Sequence, residues 1–334
     1  MFIEGDWVKA KGTTLGADNG LGVATIMAVL ESSEIAHPAI EALFTIDEET
    51  GMTGAMGLKG GLLEGDILLN LDTEEDDEIG IGCAGGVDIT ATKNYKEEDA
   101  PNNSASYSIS ISGLQGGHSG MDIHKGFGNA NKILNRILFE TNTDFGLRIS
   151  SIDGGSLRNA IPRESFANVI VNNGTKNDFL KKIDKIISEI QKEYNSIEPN
   201  LKISISENSA VKKVMNFYDQ NTLIKSIYAT LNGVYRMSPD IKDLVETSNN
   251  LARVIVKNGA IKIGCLTRSS SESSKLDLGN TIQSVFELAG FKVEFSGEYP
   301  GWLPNVKSEI VNLVTNTYKD LFKESPNVAA CHAG

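Results

Sequence analysis

The sequence predicts an α/β protein, a sheet-centred domain with helices on both faces, interrupted by an inserted α+β domain. Three observations predict it. Over the first hundred residues, short apolar runs at 42–46 and 66–71 alternate with helix-like runs, the texture of a central sheet covered on both sides. The polar, proline-containing stretch Glu97-Glu98-Asp99-Ala100-Pro101-Asn102-Asn103 reads as a break, and strictly alternating strands follow it. After Tyr299-Pro300-Gly301-Trp302 the first texture returns. One discontinuous domain is therefore expected at 1–103 and 298–334, with a second at 104–297. A length of 334 residues also suits two domains better than one.

Each element has its own signal. Leu21 to Leu30, rich in Ala, Val and Leu after the turn Gly16-Ala17-Asp18-Asn19-Gly20, predicts a buried helix. Ala42 to Ile46 and Asp66 to Leu71 are apolar enough for strands, and Met52 to Leu58 for a helix between them. Ser104 to Ser112 alternates, with Ala105, Tyr107, Ile109 and Ile111 on one face, as a half-buried antiparallel strand does. Helices are expected at 128–140, 180–194, 222–231 and 274–288. Strands are expected near 146–152, 166–171, 202–206, 252–257 and 261–266. A helix at 306–322 and a strand at 328–330 complete the first domain.

Bulk properties narrow the function. A hydrophobic fraction of 40% gives enough material for a sizeable core. A net charge of -13 and a pI near 4.9 argue against binding a phosphate backbone. The three cysteines are far apart with no C-x-x-C spacing, so neither a disulfide framework nor a thiolate zinc site follows. No apolar run approaches the ~20 residues of a membrane span. Met1 to Trp7 lacks the character of a signal peptide, and the cytoplasm is the expected compartment.

Acidic residues fall where strands should end or helices begin. Asp18 opens the first helix, Glu48 and Glu49 follow the run ending at Ile46, and Asp72 follows the run from Asp66. The crevice beyond strand ends is the usual ligand site of an α/β sheet, and carboxylates gathered there repel unless cations neutralise them. Adjacent glutamates suit a metal hydrolase, because one can ligate metal while its neighbour deprotonates water. Each also has a plain alternative. Asp18 could be an N-cap, Glu48-Glu49 a solvated loop, and Asp72 the start of an acidic turn.

Seven segments carry a resemblance. They are Gly12 to Gly22, Asp47 to Ala55, Asn70 to Glu75, Gly82-Cys83-Ala84-Gly85-Gly86, Gly116-Gly117-His118-Ser119-Gly120, Arg158 to Glu164 and Tyr299-Pro300-Gly301-Trp302. In this order they resemble the aminoacyl-histidine dipeptidase family, the cytosol non-specific or Xaa-His dipeptidases among the co-catalytic zinc aminoacylase-like peptidases. The resemblance implies two divalent metal ions, zinc first with manganese or cobalt as alternatives. It makes Asp18 the bridging carboxylate, Glu49 and Asp72 the ligands of one metal each, and Glu48 the general base. The inserted domain resembles the family's lid. There His118 would polarise the scissile carbonyl, from its own or a second subunit, in a homodimer, with a structural loop histidine as the alternative. Asn159 would bind substrate, with turn formation as the alternative, and Arg268 would take the substrate carboxylate, with a surface ion pair as the alternative. His332 would contact substrate without ligating metal. His37 and His124 carry no assigned role.

Two departures qualify this. Residues 1–17 contain no histidine, so the family's upstream His-x-Asp motif is absent, and the family's distal histidine would lie beyond Gly334. The resemblance thus implies a chain truncated at both ends, with two histidine ligands missing, weakened zinc affinity and loosened metal selectivity. The expected function is metal-dependent hydrolysis of dipeptides, Xaa-His and broader, with inactivity of the given chain as a consequence of the missing ligands. The alternative is a non-catalytic relative acting as a binding or assembly module. Neither nucleic acid nor membrane is an expected partner.

Overall fold

The computed structural model describes residues 1–73 and 75–334, with the side chains of Glu49 and Thr50 outside the description. The chain divides into two compact units, residues 1–80 with 307–328, and residues 81–306 with 329–334.

In the first unit, strands β1 (Phe2–Glu4) and β2 (Trp7–Lys9) form a hairpin across a turn in which Gly5 takes φ +62°. Helix α1 spans Ala17–Glu31, with Asp18 and Asn19 outside helical dihedrals and a cis peptide between them. Two short helices follow, α2 (Glu48–Gly51) and α3 (Thr53–Gly57), and helix α8 (Glu309–Phe322) lies in the same unit. The strands expected at 42–46 and 66–71 are not formed. Their apolar content is real, but Ile46, Ile67, Leu68 and Leu69 are exposed, and among the described residues no neighbouring segment supplies a ladder. Without ladder hydrogen bonds an apolar run is not a strand. The sheet covered on both faces is therefore a correction: the described first unit contains no such sheet.

The second unit is built on a nine-stranded sheet in the order β14-β4-β13-β12-β7-β8-β6-β9, with β11 also paired to β12. These strands are β4 (Gly85–Asn94), β6 (Ser104–Ser112), β7 (Arg148–Gly154), β8 (Ser165–Asn172), β9 (Lys202–Glu207), β11 (Gly233–Met237), β12 (Val245–Lys257), β13 (Ala260–Ser269) and β14 (Lys292–Tyr299). Every pairing within it is antiparallel. Short strands β5 (Glu97–Asp99) and β10 (Lys213–Met215) pair separately, as do β3 (Glu78–Cys83) and β15 (Asn327–Cys331). The molecule is mixed α/β around this sheet.

Strand β6 shows why the sheet has a core face. Tyr107, Ile109 and Ile111 are buried, while Ser108 and Ser110 alternate with them, so one face joins the core and the other stays polar. On the polar face the Ser108 hydroxyl donates to Asn168 Oδ1 at 2.7 Å, and Asn168 Nδ2 donates to the Ser151 hydroxyl at 2.9 Å. Helices α4 (Ala130–Thr141), α5 (Lys176–Tyr194), α6 (Phe217–Ala229) and α7 (Glu272–Leu288) pack on the core face in one hydrophobic cluster. Helix α5 buries Phe179, Ile183, Ile186 and Ile190, spaced to put them on one stripe, each worth roughly 1.5–3 kcal/mol of burial. The tight β12–β13 hairpin turns at Asn258-Gly259, both at positive φ, the pair favoured by a two-residue turn.

Candidate functional site

The core strands do not stay apolar along their length. At one end of the β12–β13 pair, Glu246, Thr247, Ser248, Asn249 and Asn250 on β12 and Thr267, Arg268 and Ser269 on β13 are all buried. Buried polar side chains at this density are costly unless they partner one another or a ligand.

Arg268 is the centre of this region. It is 3% exposed. Its Nε donates to the Ser119 hydroxyl at 3.2 Å and its Nη1 to the Tyr299 hydroxyl at 2.6 Å. Among the described residues it makes no ion pair, so the surface-pair alternative is set aside. A desolvated guanidinium held by two neutral oxygens keeps its positive charge unmatched at close range. Its field is felt nearby. It helps to lower the pKa values of His118 and His332, and it opposes the rise that burial imposes on Asp88.

His118 lies in the loop after β6. Glycines 116 and 117, at φ +66° and +148°, let this loop turn close to Arg163 and Asp122. The Asp122 carboxylate accepts the His118 backbone N–H at 2.7 Å. His118 Nδ1 accepts N–H groups from Gly120 at 3.2 Å and Met121 at 3.1 Å. With Nδ1 an acceptor, the neutral ring carries its proton on Nε2. Burial and then Arg268 push its pKa down, so the neutral Nε2–H donor is the form at neutral pH.

The Asn159 loop is tied to the same region. The Ser119 N–H donates to the Asn159 carbonyl at 2.8 Å, and Ala160 bridges to His118. Arg158 fastens the loop to the sheet by donating to the carbonyls of Ile89 and Cys265 and pairing with Asp88. Asn250 Nδ2 donates to the carbonyls of Arg158 and Ala160. The Asn159 side chain itself is exposed.

His332 is 5% exposed. Its Nε2 shares a 2.7 Å hydrogen bond with the Ser248 hydroxyl, and its buried Nδ1 makes no hydrogen bond among the described residues. Burial, followed by the Arg268 charge, lowers its pKa to about 3. Gly120 lies against the His332 carbonyl so closely that a Cβ would sit 2.0 Å from its oxygen. Thus His118, Arg268 and His332 are brought together through Ser119, Gly120 and Ser248, with Asn159 tied in through its backbone. Sequence reading missed Ser119 and Tyr299, although both sit inside the quoted motifs. Ser248 had no local signal at all.

The carboxylates lie in the other unit. Asp18 is exposed in the first turn of α1. The capping task falls to Asn19, whose Oδ1 accepts the Gly22 N–H at 3.0 Å. Glu48 opens α2, after Asp47 at φ +62°. Asp72 is exposed, and its N–H donates to Asn70 Oδ1 at 3.2 Å. The Glu49 side chain lies outside the described residues. Among those described, no group of three His, Cys, Asp or Glu side chains is arranged to hold a metal ion. No helix among them is long and apolar enough to cross a membrane.

A family model described as a peptidase dimerisation domain matches residues 103–198. The cytosol non-specific dipeptidase of Escherichia coli K12 is 43% identical over 334 residues, which is 100% of this chain and 69% of that protein. The crystal structure of aminoacylhistidine dipeptidase from Vibrio alginolyticus superposes with a TM-score of 0.95 at 42% identity, covering 100% of this chain and 68% of that one. The class is that of peptide hydrolases carrying a dimerisation domain. Within that class, the chain belongs to the cytosol non-specific dipeptidase family.

Proposed function

We propose that the chain carries the carboxylates and the substrate receptor of a metal-dependent dipeptidase acting on Xaa-His and other unblocked dipeptides in the cytoplasm. The observation that carries this reading is Arg268, a buried guanidinium with no ion pair among the described residues. Such a group suits a small anion, and a dipeptide has a free carboxylate within two residues of its scissile bond.

Asp18, Glu49 and Asp72 are proposed to hold two divalent ions, zinc or alternatively manganese or cobalt. Their oxygen donors are of the hard type that such cations accept, although the described residues do not by themselves form a cage. When bound, the ions supply positive charge that acidifies water and offsets charge on the reacting oxygen. The chain's own groups do the rest. Glu48 takes a proton from water and delivers it to the leaving amine. The neutral His118 donates Nε2–H to the scissile carbonyl oxygen, Asn159 hydrogen-bonds substrate, and Arg268 receives the carboxylate. His332, paired with Ser248, contacts the substrate as a neutral ring. The dimerisation-domain match at 103–198 supports a homodimer.

A second reading, a non-catalytic binding or assembly module, is favoured by one observation. Among the described residues, none of the four histidines joins these carboxylates in a group that could hold a metal ion. Both readings keep the Arg268 receptor, which calorimetric titration with glycyl-histidine and with its carboxamide tests. The free acid should bind more tightly, and Arg268→Ala should weaken its binding roughly 10- to 100-fold while leaving the amide nearly unchanged. Equal losses for both ligands would remove Arg268 as the carboxylate receptor.

A further inference from the structure

We propose that Tyr299 is a positioning residue that sets the plane of the Arg268 guanidinium, held in place by a clamp of the buried Lys275 and the exposed Glu272. The inference rests on the reading of Arg268 as a carboxylate receptor and goes beyond it by naming what makes that receptor directional.

The clamp begins with a lysine that packing alone does not explain. Lys275, on α7, is completely buried, a costly place for an ammonium unless its hydrogen bonds are well matched. Its Nζ donates to the Tyr299 carbonyl at 2.8 Å and to Glu272 Oε1 at 2.9 Å, with Glu298 at 3.5 Å. The same Glu272 oxygen accepts the Gly301 N–H at 2.9 Å. The backbone is therefore gripped on both sides of Pro300, at the carbonyl before it and the N–H after it. Proline fixes the φ between those two points.

Glycines complete the seat. A Cβ at Gly85 would lie 2.4–2.5 Å from the backbone of residues 299–301, and one at Gly86 would lie 2.6 Å from the Tyr299 hydroxyl. Only residues without side chains admit the ring there. The register shift of β14 against β4 between Ser296 and Tyr299, with Gly297 at φ +56°, redirects the strand just before the tyrosine.

The ring delivers its hydroxyl to Arg268 Nη1 at 2.6 Å while Ser119 takes Nε at 3.2 Å. Two acceptors on two different nitrogens fix a planar ion in rotation as well as position, and Nη2 makes no hydrogen bond among the described residues. A carboxylate is thus met by a preoriented donor rather than by a mobile one, which lowers the ordering cost of binding. Burial raises the Tyr299 pKa, so the neutral phenol persists and does not neutralise the guanidinium.

The test uses the full chain, with glycyl-histidine and its carboxamide as calorimetric probes. Tyr299→Phe keeps the ring and removes only the oxygen. The preference for acid over amide should fall about 3- to 10-fold, with amide affinity unchanged. Glu272→Gln, which leaves Lys275 its stem and packing, should move the preference the same way by a smaller factor. Matched thermal midpoints and circular dichroism check that each variant is folded. A Tyr299→Phe protein that keeps the full preference, or that weakens both ligands equally, overturns the inference. If Arg268→Ala loses the preference and Tyr299→Phe does not, the positioning role alone fails. If the unaltered chain shows no preference, the receptor reading fails with it.

Discussion

His332 shows how a single side chain ties the site to stability. Its ring is hydrogen-bonded to Ser248, and its folded pKa is lowered to about 3 by burial and then by the charge of Arg268. In the unfolded chain the ring titrates near 6.5. The folded form therefore holds fewer protons than the unfolded form between these values, and stability present above about pH 6.5 is lost as pH falls towards 3. Between pH 7.5 and 5.5, where most carboxylates stay ionised, the loss from this residue should be about 1 kcal/mol. Urea unfolding of the wild type and of His332→Asn at both pH values checks it, and the variant should lose less. Equal losses would place the titration elsewhere, and His118, shifted in the same direction, is the first candidate. At this scale the sequence was informative about residue types and poor on surroundings. His118, Arg268 and His332 could be nominated from motifs, but the burial of Arg268 and its pairing with Tyr299 depend on strands far apart in the chain.

Elements were legible where period and burial agree. Strand β6 falls at Ser104–Ser112 as its alternation requires, and α5 follows its apolar stripe, extended by one turn at its start. Strand β12 was read only from Ala252, because Glu246 to Asn250 are polar, yet all are buried in the sheet. Local rules fail there because the strand serves the site as well as the core. The loop that carries His118 has a similar hidden anchor. Glu198 is 2% exposed, and its two oxygens accept the N–H groups of Gln115 and Gly128, each at 2.8 Å. It thus grips both ends of the segment between β6 and α4. Glu198→Gln places an amide N–H against one of those donors, and the unmatched pair should cost about 1–3 kcal/mol. A lowered urea midpoint is the expected result. An unchanged midpoint would mean that the loop is held by other contacts.

For the whole molecule, the boundaries read from sequence near 103 and 298 fall inside the second unit, because β4 and β14 join the nine-stranded sheet. Sequence texture registers a change of pattern, whereas compactness follows strand pairing, and the two need not coincide. The proposed 1–103 and 298–334 metallopeptidase part and the 104–297 lid therefore remain a functional division. Its central claim is that Glu48 is the base and Glu49 a metal ligand in hydrolysis of dipeptides. The most direct measurement follows glycyl-histidine hydrolysis and bound metal after reconstitution with zinc, manganese or cobalt, for the chain extended to the full length of the relative it matches and for its Glu48→Gln and Glu49→Gln variants, purified alike. The expected result is metal-dependent turnover that falls at least ~100-fold in Glu48→Gln with metal content retained, while Glu49→Gln loses metal and activity together and recovers partly with excess metal. Equal metal loss in both variants, or a Glu48→Gln protein with normal turnover, would contradict the assignment.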